Sequence, residues 1–341
     1  MKNIFCTLTV CTVLFFCVFT IKAKTPENDM SAYLFTYFIG GAGEDIRYAL
    51  SNDGYTWYAI NNNEPIIDTD KISSSGGVRD PHILRGADGK SFYMVVTDMH
   101  TAKNGWTPNT AMVLMSSPDL INWKSTMIDI PKTYPQYVNM GNIWAPQTIY
   151  DAKAEKYMVY WSMTPGRVAS VFYYAYANKD FTGFESAPQV LFANPNGKSV
   201  IDADIIEKDG VFHLFFKTEG ESRKGIMKAV SNSLTEGYKM IEEKYLNQTE
   251  RDVEGSCVFP LIGTNDYILM YDMYRDRKYQ FTKSSDLLNF EVIDDDVSMN
   301  FGPRHGTVMQ ITAKEAQRII AKWGITTDIN IAGSHSYKSE N

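Results

Sequence analysis

Short runs of β-branched and aromatic residues recur along the chain. Phe92–Thr97, Tyr157–Trp161, Phe212–Phe216 and Tyr267–Tyr271 each read as a strand, several after a turn signal such as Asp88-Gly89 or Asp209-Gly210. A second pattern sets the frame. Five segments carry a small or polar cluster with turn residues and end on an aromatic: Trp57, Trp123, Phe184, Tyr238 and Phe290. These aromatics step by 66, 61, 54 and 52 residues, and a period of that size built from short strands means a propeller or a solenoid. Four units are complete. The fifth is split, with three strands over 33–38, 46–50 and 57–60 and one over 307–311. Joining both chain ends in one blade closes the ring and removes open edges. The expectation is an all-β, five-bladed β-propeller, one domain over residues 25–325. An open β-sandwich gives no reason for five equal units. Thr312 and Glu315 form a capping box that predicts a short C-terminal helix over 313–323, ended by Gly324 and packed outside the ring. Residues 326–341 read as a polar tail.

The composition narrows the partners. The 341 residues carry a formal charge of −7 and 45 aromatic residues, 21 of them Tyr. There is no basic footprint for nucleic acid. Three of the four cysteines lie in the first 17 residues, so the chain is no disulfide scaffold. Those cysteines belong to an N-terminal segment of their own. Lys2 precedes an uncharged, mostly apolar run of 18 residues from Ile4 to Ile21, followed by Ala23. Residues 1–24 read as a signal peptide, which implies export to the periplasm or the extracellular space. The run is also just long enough for a retained anchor, although its four Thr weaken that reading, and Phe16 before Cys17 is wrong for a lipoprotein box. Loss of 1–24 removes Lys2, Lys22 and Lys24 and takes the charge from −7 to −10, which suits a neutral substrate better than a polyanion. No second apolar run reaches spanning length, so the mature chain is expected to have no membrane span.

The first strand of each blade lies nearest the axis, and residues where these strands begin converge on one mouth. The chain punctuates these starts with Arg79-Asp80-Pro81, Trp144-Ala145-Pro146-Gln147, Ile201-Asp202-Ala203, Val253-Glu254-Gly255 and Arg304-His305-Gly306. Singly, each has a plain reading: Asp before Pro is a turn residue, and a lone His or Trp is a core residue. Together, three carboxylates and a His at a shared phase make a constellation. Asp80 and Glu254 fall in blades one and four, which are not neighbours, leaving room for a substrate and a water. Asp202 falls next to Glu254, and a like charge favours the protonated form of its neighbour. That suits Glu254 as general acid, Asp80 as general base and Asp202 as pKa modulator, the arrangement of inverting glycoside hydrolysis.

These motifs, one per blade and in this order, resemble glycoside hydrolase family 43 from about Tyr33 to Ile311. The resemblance implies a five-bladed propeller of inverting enzymes that remove arabinofuranosyl, xylosyl or galactofuranosyl units. It implies the same three roles, with Asp202 also orienting. Many members have Asp or Glu where this chain has Gln147, which remains a candidate substrate contact. Arg304 resembles an Arg that touches sugar hydroxyls. His305 matches a fifth-blade His often near a metal ion or water in the channel, so a structural Ca²⁺ or other ion is possible there, with no cofactor required. The strings Val78–Arg85 and Ile143–Tyr150 look most like the exo-acting arabinofuranosidase and galactofuranosidase-like branch. Trp144 offers a ring for a sugar face, and Trp106, in the loop from His100 to Asn109, either walls the pocket or caps its blade. The expected substrate is an oligo- or polysaccharide. Two alternatives stand beside the hydrolase: a non-catalytic carbohydrate-binding propeller and a protein-interaction propeller. For the latter, buried axial acids are costly without purpose.

Overall fold

The computed structural model describes residues 29–325, less 167, 220–224 and 242–243. The proposed signal peptide and polar tail lie outside the described residues.

The fold is a five-bladed β-propeller. Blade one is β4 (Val78–Arg85), β5 (Phe92–Asp98), β6 (Ala111–Ser117) and β7 (Lys124–Asp129). Blade two is β8 (Met140–Asp151), β9 (Lys156–Pro165), β10 (Val171–Tyr176) and β11 (Gln189–Phe192). Blade three is β12 (Ser199–Lys208), β13 (Val211–Glu219), β14 (Ile226–Ser231) and β15 (Lys239–Met240), and blade four is β16 (Glu254–Pro260), β17 (Tyr267–Met273), β18 (Lys278–Ser284) and β19 (Glu291–Val292). The fifth blade joins the chain ends as expected. Its inner strand β21 (Arg304–Thr312) pairs with β1 (Met30–Phe38), followed by β2 (Arg47–Ser51) and β3 (Thr56–Ala59). A short fifth strand, β20 (Ser298–Met299), adds parallel to β3, which the sequence pattern does not reveal.

The sequence repeat has a physical cause. Each repeated segment is the turn between the third and fourth strand of the blade order. Ser51, Ser117 and Ser284 accept backbone N–H groups there, and Asp53, Asp119 and Asp286 each accept two more. The closing aromatic then reaches into the seam with the preceding blade. Trp57 meets Phe259, Phe290 meets Phe215, and Tyr238 meets Phe192. Buried apolar side chains form five clusters, one in each seam between neighbouring blades. The C-terminal helix, Ala313–Trp323, has both halves of its capping box, and Ala316 and Ile319 bury against the seam of blades five and one. Among the described residues no helix is long and apolar enough to cross a membrane.

Beneath the mouth, a hydrogen-bonded hoop links all five inner strands. Ile83 N donates to Thr307 Oγ1 (3.1 Å), Thr148 N to His82 Nδ1 (3.3 Å) and Val258 N to Asp204 Oδ2 (2.6 Å). Val308 N donates to the Cys257 thiol. Ile205 N donates to the Tyr160 hydroxyl (3.0 Å), which itself donates to Gln147 Oε1 (2.9 Å). Gln147 is 1% exposed and belongs to this hoop. The expectation that it touches substrate is corrected, because strand alternation turns it below the pocket floor.

Candidate active site

Every inner strand breaks register at the mouth. Two residues bulge out between Arg79 and His82, Trp144 and Gln147, Ile201 and Asp204, Glu254 and Cys257, and Arg304 and Thr307. Bulges of this kind re-aim side chains. The first bulged residue is Asp80, Ala145, Asp202, Gly255 or His305. The first four hold left-handed backbone, with φ of 53°, 46°, 55° and 62°, a strained state for all but Gly. Asp80, Asp202 and His305 therefore do share one structural position. Glu254 does not: it stands one residue earlier, equivalent to Arg79, Trp144, Ile201 and Arg304. Gly255 fills the bulge instead, and a Cβ there would lie 2.6 Å from the His305 ring.

The mouth opens into a cavity of about 860 Å³ to which all five blades contribute, including Asp80, Trp144, Asp202, Glu254, Arg304 and His305. Asp80 accepts from Thr97 Oγ1 (2.8 Å), and His305 Nδ1 lies 3.4 Å from its other oxygen. Burial works to raise the Asp80 carboxyl, but the His305 hydrogen bond and charge, Arg79 and Thr97 together hold it below its ordinary value. Asp202 accepts from Gly255 N (2.9 Å) and lies 3.9 Å from His305. Burial pushes Asp202 up to about 6, with His305 and Lys217 opposing and the Glu254 and Asp80 charges adding to the rise. His305 answers to both acids. Burial lowers it, but Asp202, Asp80 and Glu254 outweigh that and push it up to about 9.

Glu254 has different company. Lys217 Nζ lies 2.9 Å from Oε2 and Arg304 Nη2 lies 3.4 Å from Oε1. The sequence places only Asp202 beside Glu254; in the fold two cations stand there as well. Arg304 is in turn held by Asp272, Nε to Oδ2, at 2.5 Å. Trp144 also lines the cavity, as does Trp106, which is 72% exposed. The Arg79 guanidinium is stacked between the rings of Trp106 (4.9 Å) and Phe38 (4.7 Å) and pairs with buried Glu44.

Lys217, Asp272, Thr97 and Glu44 are absent from the sequence-derived set. The first three had a signal: they end second-strand runs at the mouth, where an apolar strand abruptly turns polar. Glu44 lies in a connection with no such mark. Among the described residues no group of three His, Cys, Asp or Glu side chains is placed to hold a metal ion.

Residues 28–317 match the sequence model of a family related to glycosyl hydrolase family 43, described as a probable glycosyl hydrolase domain. The chain belongs to this family. An α-L-arabinofuranosidase of Bifidobacterium longum subsp. longum is 27% identical over 228 residues, which is 59% of this chain and 21% of that protein. The chain thus spans about a fifth of the length of that relative. Among solved structures, an α-L-arabinofuranosidase from Clostridium thermocellum aligns with a TM-score of 0.55 at 12% identity, covering 80% of this chain and 93% of that one. A family 43 β-1,3-galactosidase aligns with a TM-score of 0.57 at 11% identity, covering 82% and 58%. At these identities the likeness is one of fold, and it places family 43 propellers beside the family assignment.

Proposed function

We propose that this chain is an exported, inverting, exo-acting glycoside hydrolase that releases arabinofuranosyl residues, or xylosyl or galactofuranosyl residues, from oligo- or polysaccharides. The observation that carries the reading is the unlike treatment of two carboxylates lining one cavity. Asp80, hydrogen-bonded by Thr97 and His305, is held in its ionised form. Glu254 stands one residue off the bulge register, on a non-adjacent blade, where it reaches a different set of partners. Asp80 takes a proton from the attacking water while Glu254 gives one to the leaving oxygen. Asp202 is bonded to the backbone of Gly255, next to Glu254, and supplies both orientation and a negative neighbour. Trp144 offers a flat apolar surface to a sugar face.

Hydrolysis of p-nitrophenyl α-L-arabinofuranoside, β-D-xyloside and β-D-galactofuranoside, side by side, tests the reading. Turnover of at least one glycoside, lost in Asp80→Asn and Glu254→Gln, is expected. Sugar binding without turnover on any substrate would favour the non-catalytic alternative.

A further inference from the structure

The residue paired across the blade from each pre-bulge position forms a set of its own: Thr97, Ser162, Lys217, Asp272 and Phe38. Three of these serve the next blade round the ring. Thr97 accepts from Ala145 N (2.9 Å), Lys217 pairs with Glu254, and Asp272 pairs with Arg304. The fold itself needs no charge at this position, since Thr97, Ser162 and Phe38 fill it neutrally. The two charges sit in blades three and four, on either side of Glu254.

Asp272 is the costlier of the two. It is 0% exposed, and its Oδ1 has no hydrogen-bond partner. Burying a carboxylate this way is unfavourable unless its charge has a use. The distances suggest that use. Arg304 is 2.5 Å from Asp272 and 3.4 Å from Glu254, so one guanidinium faces two acids and is drawn toward the one that takes no part in proton transfer. We propose that Asp272 is a positioning residue that holds Arg304 back from Glu254 and so leaves Glu254 able to deliver a proton. The proposal rests on Glu254 as proton donor.

The charged and titratable groups facing Glu254 are Lys217 from β13, Asp202 from β12, Asp272 from β17, Tyr279 from β18, and Arg304 and His305 from β21. Asp272 itself faces Arg304, Glu254 and His305, and Tyr279, whose hydroxyl is also buried without a partner. Among the described residues, loss of the Asp272 charge leaves Glu254 as the acid paired with Arg304. A cation closing on a carboxylate favours its ionised form, and a donor that ionises at lower pH fails sooner as pH rises.

The test compares kcat/KM against pH for Asp272→Asn, Arg304→Gln and Glu254→Gln, each on a glycoside with a good leaving group and one with a poor leaving group. Thermal unfolding confirms folding. Asp272→Asn is expected to move the alkaline limb toward acid and to cost about tenfold or more on the poor leaving group, with a smaller loss on the good one. Arg304→Gln reads the same coupling from the other side and moves that limb toward alkali, which keeps the test open if Asp272→Asn does not fold. An unshifted limb with equal losses on both substrates overturns the proposal. If Glu254→Gln itself shows no leaving-group dependence, the proton-donor reading fails instead, and the two failures are distinct.

Discussion

Blades three and four present the same bulge to the same cavity and use it in opposite ways. In blade three the bulged residue is the acid, Asp202, tucked under the mouth and bonded to the backbone of the next strand. In blade four the bulged residue is Gly255, and the acid, Glu254, stands one residue earlier. A one-residue offset on a strand turns a side chain to the other face. Glu254 is thereby lifted out of the crowded ring of Asp80, Asp202 and His305 and set between Lys217 and Arg304. One backbone device thus produces a buried acid pushed up to about 6 and, beside it, an acid open to the cavity. The identity of a carboxylate at the mouth matters less than its place relative to the bulge.

Removing the acids is expected to have the largest effect. Glu254→Gln and Asp80→Asn should each cut kcat/KM by about 10²–10⁴-fold at the pH optimum with unfolding temperatures unchanged. Near-normal rates in either would erase the functional side of the comparison. Gly255→Ala attacks the bulge itself. Its Cβ must push His305 aside and its φ of 62° becomes strained. With both acids still present, kcat should fall by up to about a hundredfold, because ångström misplacements near reacting groups cost that much. Steady-state kinetics on a variant shown to be folded checks this.

Asp202→Asn is a subtler change. It removes a negative neighbour of Glu254 while keeping an acceptor for Gly255 N. The alkaline limb of the rate profile should move toward acid, with greater loss on poor leaving groups. A uniform loss at every pH would make Asp202 a pure positioning residue.

The smallest effect lies below the mouth, in the hoop. Burial, against the Val258 N–H bond and the His305 charge, pushes Asp204 up to about 7. A carboxyl raised in this way binds its proton more tightly in the fold. Its contribution to stability is complete below its ordinary value of 3.8 and is lost as pH rises through about 7. Asp204→Asn keeps the acceptor for Val258 and abolishes the titration. The unfolding temperature should therefore fall less between pH 5 and 8 in the variant than in the parent. Parallel slopes would contradict this.

The fold was legible because its repeat is a local device. Ser-x-Asp turns with a closing aromatic recur in three of the five blades, so Ser51, Ser117 and Ser284 with Trp57, Trp123 and Phe290 mark the period directly, while Phe184 and Tyr238 close the other two segments. The site was legible only as far as its inner strands. Asp80, Asp202, Glu254 and His305 stand out beside Pro, Gly and small residues at the strand starts. The offset of Glu254 was hidden, because a bulge is visible only in pairing with the neighbouring strand. Gln147 was misplaced for the same reason: alternation carries it beneath the mouth. Lys217 and Asp272 act across the seam between blades, through partners 37 and 32 residues away along the chain. Nothing in their local sequence reports those partners.

The central claim is that a water activated by Asp80 attacks opposite a bond protonated by Glu254. Proton NMR of the first-formed sugar, recorded before mutarotation, tests it most directly. The account predicts the anomer inverted relative to the substrate. A retained anomer would mean that a carboxylate attacks the sugar itself, and would contradict the role given to Asp80.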